Sequence, residues 1–171
     1  MGAKIIILRG NAGSGKSTIA STLKSTIDKE IMYLEQDTFR HSILKVRNDE
    51  NFGITRNVKA QGAILSLIHW GIDNCDYIIM DGIYSTPKYI PMFDEINKLN
   101  TEIYAYYFDI PFEETAKRHS TRDKAKLFDA ETMREWYREH NYMPNLKETI
   151  ITKDQSKNDI INMILNDIGE N

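Results

Sequence analysis

The segment Gly10-Asn11-Ala12-Gly13-Ser14-Gly15-Lys16-Ser17 constrains this chain more than any other. It matches G-x-x-x-x-G-K-[ST] without a gap, follows the aliphatic run Ile5 to Leu8, and opens a helical pattern. Between a strand and a helix, such glycines let the backbone take φ > 0 and turn its N–H groups, together with the helix N-terminus, toward an anion. The spacing predicts a nucleotide-phosphate cradle formed by Asn11, Ala12, Gly13, Ser14, Gly15, Lys16, Ser17 and Thr18. In it Lys16 reaches the β- and γ-phosphates and Ser17 places its hydroxyl on Mg²⁺. With average residue usage the pattern arises by chance in a chain of this length on the order of 1% of the time or less.

Short apolar runs alternate with longer amphipathic stretches, the order of βαβ units and a parallel sheet. The expected strands are Lys4 to Arg9, Ile31 to Glu35, Tyr77 to Met80, Glu102 to Phe108 and Thr149 to Thr152. Helices are expected at Lys16 to Asp28, Asp37 to Lys45, Thr55 to Ile72, Pro87 to Leu99, Phe112 to Ser120, Ala130 to His140 and Ser156 to Ile168. The charged stretch Lys124 to Asp129 reads as a surface excursion between two of them. No repeat or Pro/Gly/Ser-rich linker interrupts the series, so residues 1–171 are expected to form a single α/β domain.

A hydrophobic content of 41% over 171 residues can bury a real core. The net charge of −3 weighs against a surface built to neutralise a nucleic-acid backbone. Cys75, the single cysteine, cannot form an internal disulfide, and no apolar run approaches the roughly 18 residues that span a bilayer. A cytoplasmic protein without membrane partners is the expectation.

Ligand chemistry in an open parallel sheet collects beyond the carboxyl ends of its strands, and two carboxylates are expected there. Asp37 follows the second strand, where it can orient an acceptor hydroxyl and take its proton, or cap the following helix. Arg40, three residues on, can hold an anionic or polar part of the acceptor. Asp81 ends the aliphatic third strand and is assigned to the Mg²⁺ or acceptor shell. Arg118 and Arg122, four residues apart, can clamp a transferred phosphoryl group if one helix carries both. The four histidines show no metal-ligand spacing, and Trp136, Tyr137 and Tyr142 read as core or lid packing.

Taken together, the phosphate loop, Gln36-Asp37-Thr38-Phe39-Arg40, the strand ending in Asp81, and Tyr107-Phe108-Asp109-Ile110-Pro111-Phe112-Glu113 leading into Lys117-Arg118-His119-Ser120-Thr121-Arg122 resemble the kinase domain of phage polynucleotide kinase and its P-loop kinase relatives. The likeness runs from about Lys4 to Pro144. The resemblance implies a five-stranded parallel sheet with a small helical lid, placed at about residues 118–142. It also implies ATP and Mg²⁺ as cofactors, Lys16, Asp37 and Arg122 as catalytic residues, and Arg40 on the acceptor's phosphate, while Arg118 joins the catalytic set on its four-residue spacing from Arg122. The acidic charge balance disfavours a nucleic-acid 5′ end as acceptor, and related folds phosphorylate small molecules with the same core. The expected activity is transfer of the γ-phosphoryl group of ATP to a hydroxyl, with a nucleotide-hydrolysing or sensing switch as the alternative. Arg47, Arg56, Gln61 and Tyr84 are either acceptor contacts or solvated surface.

Overall fold

Successive residues of a strand point to opposite faces, so an unbroken aliphatic strand needs cover on both sides. In the computed structural model, which describes residues 2–120 and 130–170, strand β1 (Lys4–Gly10) has this cover. Ile5 and Ile7 enter one core and Ile6 and Leu8 the other. The remaining strands are β2 (Ile31–Glu35), β3 (Tyr77–Gly82), β4 (Ile103–Phe108) and β5 (Glu148–Ile151). They form a five-stranded sheet in the order β2-β3-β1-β4-β5, with every neighbouring pair parallel.

Helices α1 (Lys16–Thr26) and α7 (Lys157–Ile168) cover one face, burying Ile19, Leu23, Ile160 and Ile164 against Ile6 and Leu8. Helices α3 (Phe52–Asn74) and α4 (Ile90–Asn97) cover the other, with Ile64, Ile68, Met92 and Phe93 against Ile5 and Ile7. The short α2 (Gln36–Thr38) follows β2, while α5 (Phe112–Ser120) and α6 (Ala130–Trp136) lie between β4 and β5. Among the described residues no helix is long and apolar enough to cross a membrane.

Two helical expectations need correction. The helix expected over Asp37 to Lys45 starts at Gln36, widens into a π-helical turn over Phe39–Ile43 and then stops, the Leu44 N–H reaching back to the Phe39 carbonyl at 3.2 Å. The helix expected to reach His140 stops at Trp136, because the Asn11 side chain captures both main-chain groups of Arg138 and draws that backbone away from helical pairing. The fourth helix starts at Ile90, with Pro91 in its first turn, where a missing N–H costs nothing.

Strand β1 ends on a charge that its aliphatic start does not announce. Arg9 is wholly buried, its guanidinium over the Tyr107 ring at 5.4 Å. Its Nη1 donates to Glu148 Oε1, its Nε and Nη2 donate to the Tyr84 carbonyl at 3.3 and 3.0 Å, and Nη2 also donates to the Asn141 carbonyl at 3.0 Å. Glu148, itself buried, accepts from the Met143 N–H at 2.7 Å through its other oxygen. A buried charge is tolerated only when paired and fully hydrogen-bonded, and removing one partner strands the other. Glu148→Ala is therefore expected to lower unfolding free energy by about 3–5 kcal/mol, read from urea denaturation. An unshifted midpoint would show that this pair carries no stability.

Candidate active site

The loop between β1 and α1 is shaped by contact with α5. Gly13 has φ 77°, and a Cβ there would stand 2.6 Å from the Thr115 carbonyl oxygen, so only glycine permits this approach. Lys16, the first residue of α1, is buried, and its Nζ folds back to the Asn11 carbonyl at 3.2 Å. Ser14 is buried, Ala12 and Ser17 are half-buried, and Thr18 is exposed on the first turn of α1. The Asn11 side chain accepts from Arg138 N–H at 3.0 Å and donates to Arg138 C=O at 2.8 Å, so it anchors the loop to the chain after α6.

Arg118 lies against the same loop. Its Nη1 donates to the Ser14 carbonyl at 3.0 Å and its Nε to Glu114 at 2.7 Å, one turn earlier on α5. Arg122, its expected partner in the clamp, lies outside the described residues, as do residues 121–129 of the expected lid.

Asp81, next to last in β3, lies on the face covered by α1, since it shares that face with Tyr77 and Ile79, which both pack in that core. It is almost fully buried. Its Oδ2 accepts from the Tyr33 hydroxyl at 2.8 Å, whereas Oδ1 finds no hydrogen-bond partner among the described residues. Burial, and then the Asp81 carboxylate, push the Tyr33 hydroxyl above its ordinary range, so it remains a donor at neutral pH. Gly82 follows, and a Cβ there would meet the Tyr84 ring at 2.6 Å and the Gln36 side chain at 2.7 Å. Gln36 Oε1 accepts the Ile83 and Tyr84 N–H groups at 2.9 and 3.2 Å, which fixes the end of β3 to the start of α2.

Asp37 sits in the first turn of α2, and Glu35 rather than Asp37 occupies the cap position. The Asp37 carboxylate is half exposed, 3.5 Å from Arg40 Nη1 and 4.0 Å from His41 Nε2. Register places it relative to the loop. Glu35 pairs with Asp81 and Asp81 with Leu8, so Asp37 and Gly10 both lie two residues beyond that level. The strand positions that precede them, Glu35 and Leu8, are two strand spacings apart, about 10 Å across the sheet, and α2 turns away from the strand direction before Asp37.

Several residues of this end of the sheet were not expected from the sequence. Arg9 could have been suspected, because a charge inside an aliphatic strand needs a reason. Tyr33 on Asp81, and the group in which Asp109 accepts from Tyr142 at 2.7 Å and lies 2.7 Å from His140 Nδ1, join residues too distant in the chain for any local signal. Trp136 and Tyr142 are exposed rather than packed in the core. Of the further acceptor candidates, Tyr84 is fully buried, Arg47 is exposed, Gln61 donates to the Lys88 carbonyl at 3.2 Å and Arg56 is half-buried.

A model of the family described as chloramphenicol phosphotransferase-like protein matches residues 3–142. The chain belongs to that family. No curated protein sequence matches this phosphotransferase-like chain. Its fold is shared by solved P-loop kinases at low identity. The Mycobacterium tuberculosis APS kinase CysC is 14% identical, with a TM-score of 0.68 and 98% of each chain covered. A sugar kinase from Janibacter sp. HTCC2649 is 14% identical, with a TM-score of 0.70 over 99% of this chain and 97% of that one. A chain of the Pnkp1/Rnl/Hen1 RNA repair complex is 20% identical at a TM-score of 0.54, over 78% of this chain and 42% of that one. The expected P-loop kinase fold is thus present, and the family is phosphotransferase-like, while the narrower likeness to phage polynucleotide kinase has a partial counterpart in the RNA repair chain.

Gly13→Ala forces a side chain into the Thr115 carbonyl at a positive φ. Strain of about 1–3 kcal/mol at such a position predicts ATP affinity weakened about tenfold to a hundredfold, with the far-UV spectrum retained. Wild-type affinity by calorimetric titration would show that this contact does not shape the cradle.

Proposed function

We propose that this chain is an ATP- and Mg²⁺-dependent phosphotransferase that moves the γ-phosphoryl group onto a hydroxyl of an acceptor molecule. The observation that supports this reading is that the phosphate loop and Asp37 follow strands β1 and β2, whose carboxyl ends lie on one edge of the sheet with β3 between them. That gap accommodates a terminal phosphoryl group and an attacking hydroxyl between them.

In this mechanism the loop amides and Lys16 hold the β- and γ-phosphates. The acceptor oxygen attacks phosphorus, its proton passes to the Asp37 carboxylate, the bond from phosphorus to the β-γ bridging oxygen breaks, and ADP leaves. Arg118, already seated on the loop through Ser14, adds positive charge where the equatorial oxygens gather negative charge, and Arg122 is proposed as its partner. The buried, unpartnered Oδ1 of Asp81, on the α1 side of the sheet, fits the water shell of a divalent cation held by Ser17. Bound there, Mg²⁺ would neutralise charge on the β- and γ-phosphate oxygens. Tyr33 keeps the Asp81 carboxylate oriented by donating to its other oxygen.

Incubation with γ-labelled ATP and Mg²⁺ against 5′-hydroxyl oligonucleotides, nucleosides, sugars and aminoglycoside-type antibiotics tests the reading. Label should appear on one class, and release of phosphate to water alone would instead favour a hydrolysing switch. Asp37→Asn should leave ATP affinity nearly unchanged and slow acceptor phosphorylation by roughly 10² to 10⁴. Normal turnover in that variant removes Asp37 from the chemistry.

A further inference from the structure

The two carboxylate oxygens of Asp81 have different surroundings. The residue is 1% exposed, its Oδ2 accepts from the Tyr33 hydroxyl at 2.8 Å, and its Oδ1 finds no hydrogen-bond partner among the described residues. Buried polar atoms are ordinarily paired, because an unmet acceptor keeps the full cost of its lost hydration. Oδ1 is therefore the oxygen that the fold offers to a ligand, and Oδ2 is already taken.

The carboxylate is also fixed in place. Asp81 lies on an interior strand, opposite Leu8 on one side and Glu35 on the other. A Cβ on the next residue, Gly82, would meet the Tyr84 ring at 2.6 Å and Gln36 at 2.7 Å, and Gln36 Oε1 holds the two main-chain N–H groups that follow. The backbone here has no slack with which to reposition the side chain. Tyr33 is held from its own side: its ring packs against the core under α1, and Lys24 of that helix lies over it at 5.8 Å. For Asp81 to offer both oxygens it would have to break the Tyr33 bond and leave a half-buried hydroxyl without its acceptor.

Divalent cations differ in what they ask of such a group. Mg²⁺ demands a near-octahedral shell at about 2.0–2.1 Å and keeps several of its waters, whereas Ca²⁺ takes about six to eight oxygens at about 2.3–2.6 Å in a flexible shell, often with both oxygens of one carboxylate. We propose that Tyr33 sets the cation preference of this protein: by occupying Oδ2 it confines Asp81 to a single oxygen, toward the ion or one of its waters, which suits Mg²⁺ and disfavours Ca²⁺. Tyr33 acts through Asp81 and is a positioning residue. The inference rests on the phosphotransferase reading, from which it takes the cation's place beside Ser17 and Asp81.

The test reads binding and not turnover. The full chain is titrated with a non-hydrolysable ATP analogue by calorimetry, once in excess magnesium chloride and once in excess calcium chloride at equal ionic strength. The wild type should hold the Mg²⁺ form tighter than the Ca²⁺ form by about fivefold to a hundredfold, the range set by one buried hydrogen bond. Tyr33→Phe frees Oδ2 and should shrink that ratio by about fivefold or more, chiefly by tightening the Ca²⁺ form. Tyr33→Leu, which also lacks the hydroxyl, carries the same expectation should the phenylalanine variant fail to fold. A merely structural tyrosine would weaken both forms alike and leave the ratio where it was. Asp81→Asn should lower the preference too, and adding Tyr33→Phe to it should change the ratio no further, because the two residues act as one unit.

A wild type indifferent to the cation, an unchanged ratio in the Tyr33 variants, or an undiminished effect of Tyr33→Phe in the Asp81→Asn background overturns the selection and leaves the phosphotransferase reading standing. Absence of analogue binding with either cation overturns the nucleotide reading, and the selection with it.

Discussion

A full positive charge buried at the end of the central strand has to be compensated on every side, and the chain supplies that compensation from three distant places. Glu148 opens β5, Tyr84 follows β3, and Asn141 follows α6, and each is drawn to Arg9. The next residue begins the phosphate loop. The demand made by one guanidinium therefore sets where three connecting segments gather, and they gather around the edge of the sheet at which the loop opens.

The two faces of the sheet divide the chemistry between them. Asp81 belongs to the face carrying α1, so it shares a side with the helix whose first turn presents Lys16 and Ser17. The connection after β2 is tied elsewhere: Phe39 packs in the core under α3 and α4, and Gln36 is bound to the main chain beyond Asp81. The groups proposed to face the nucleotide and those proposed to face the acceptor thus hang from opposite layers and meet only at the strand ends. This follows from parallel βαβ connectivity, in which every crossover returns to the same edge.

Much of this was legible in the sequence, and the reason differs from residue to residue. Strand β1 and its loop combine an aliphatic run, a glycine pattern and a helix start, all local, and helix α5 was found over Phe112–Ser120 for the same reason. Asp37 and Asp81 could be located because strand ends are where a parallel sheet exposes its ligands. Pairings between remote residues left no local trace: Asn11 holds Arg138 and Tyr33 holds Asp81 across separations of 127 and 48 residues. The early end of α6 and the widened turn after Thr38 are consequences of such tertiary contacts or of packing, which outweigh helical periodicity.

The pair of hydrogen bonds between Asn11 and the main chain of Arg138 makes the phosphate loop one half of a clasp. Whatever displaces the loop on taking up a ligand works against that clasp, and whatever loosens the segment at Arg138 changes the loop's hold on its ligand by the same factor, since coupling between two binding events is reciprocal. A ligand that shifted the loop would be felt in the stretch entering β5, although more than a hundred residues of chain lie between them.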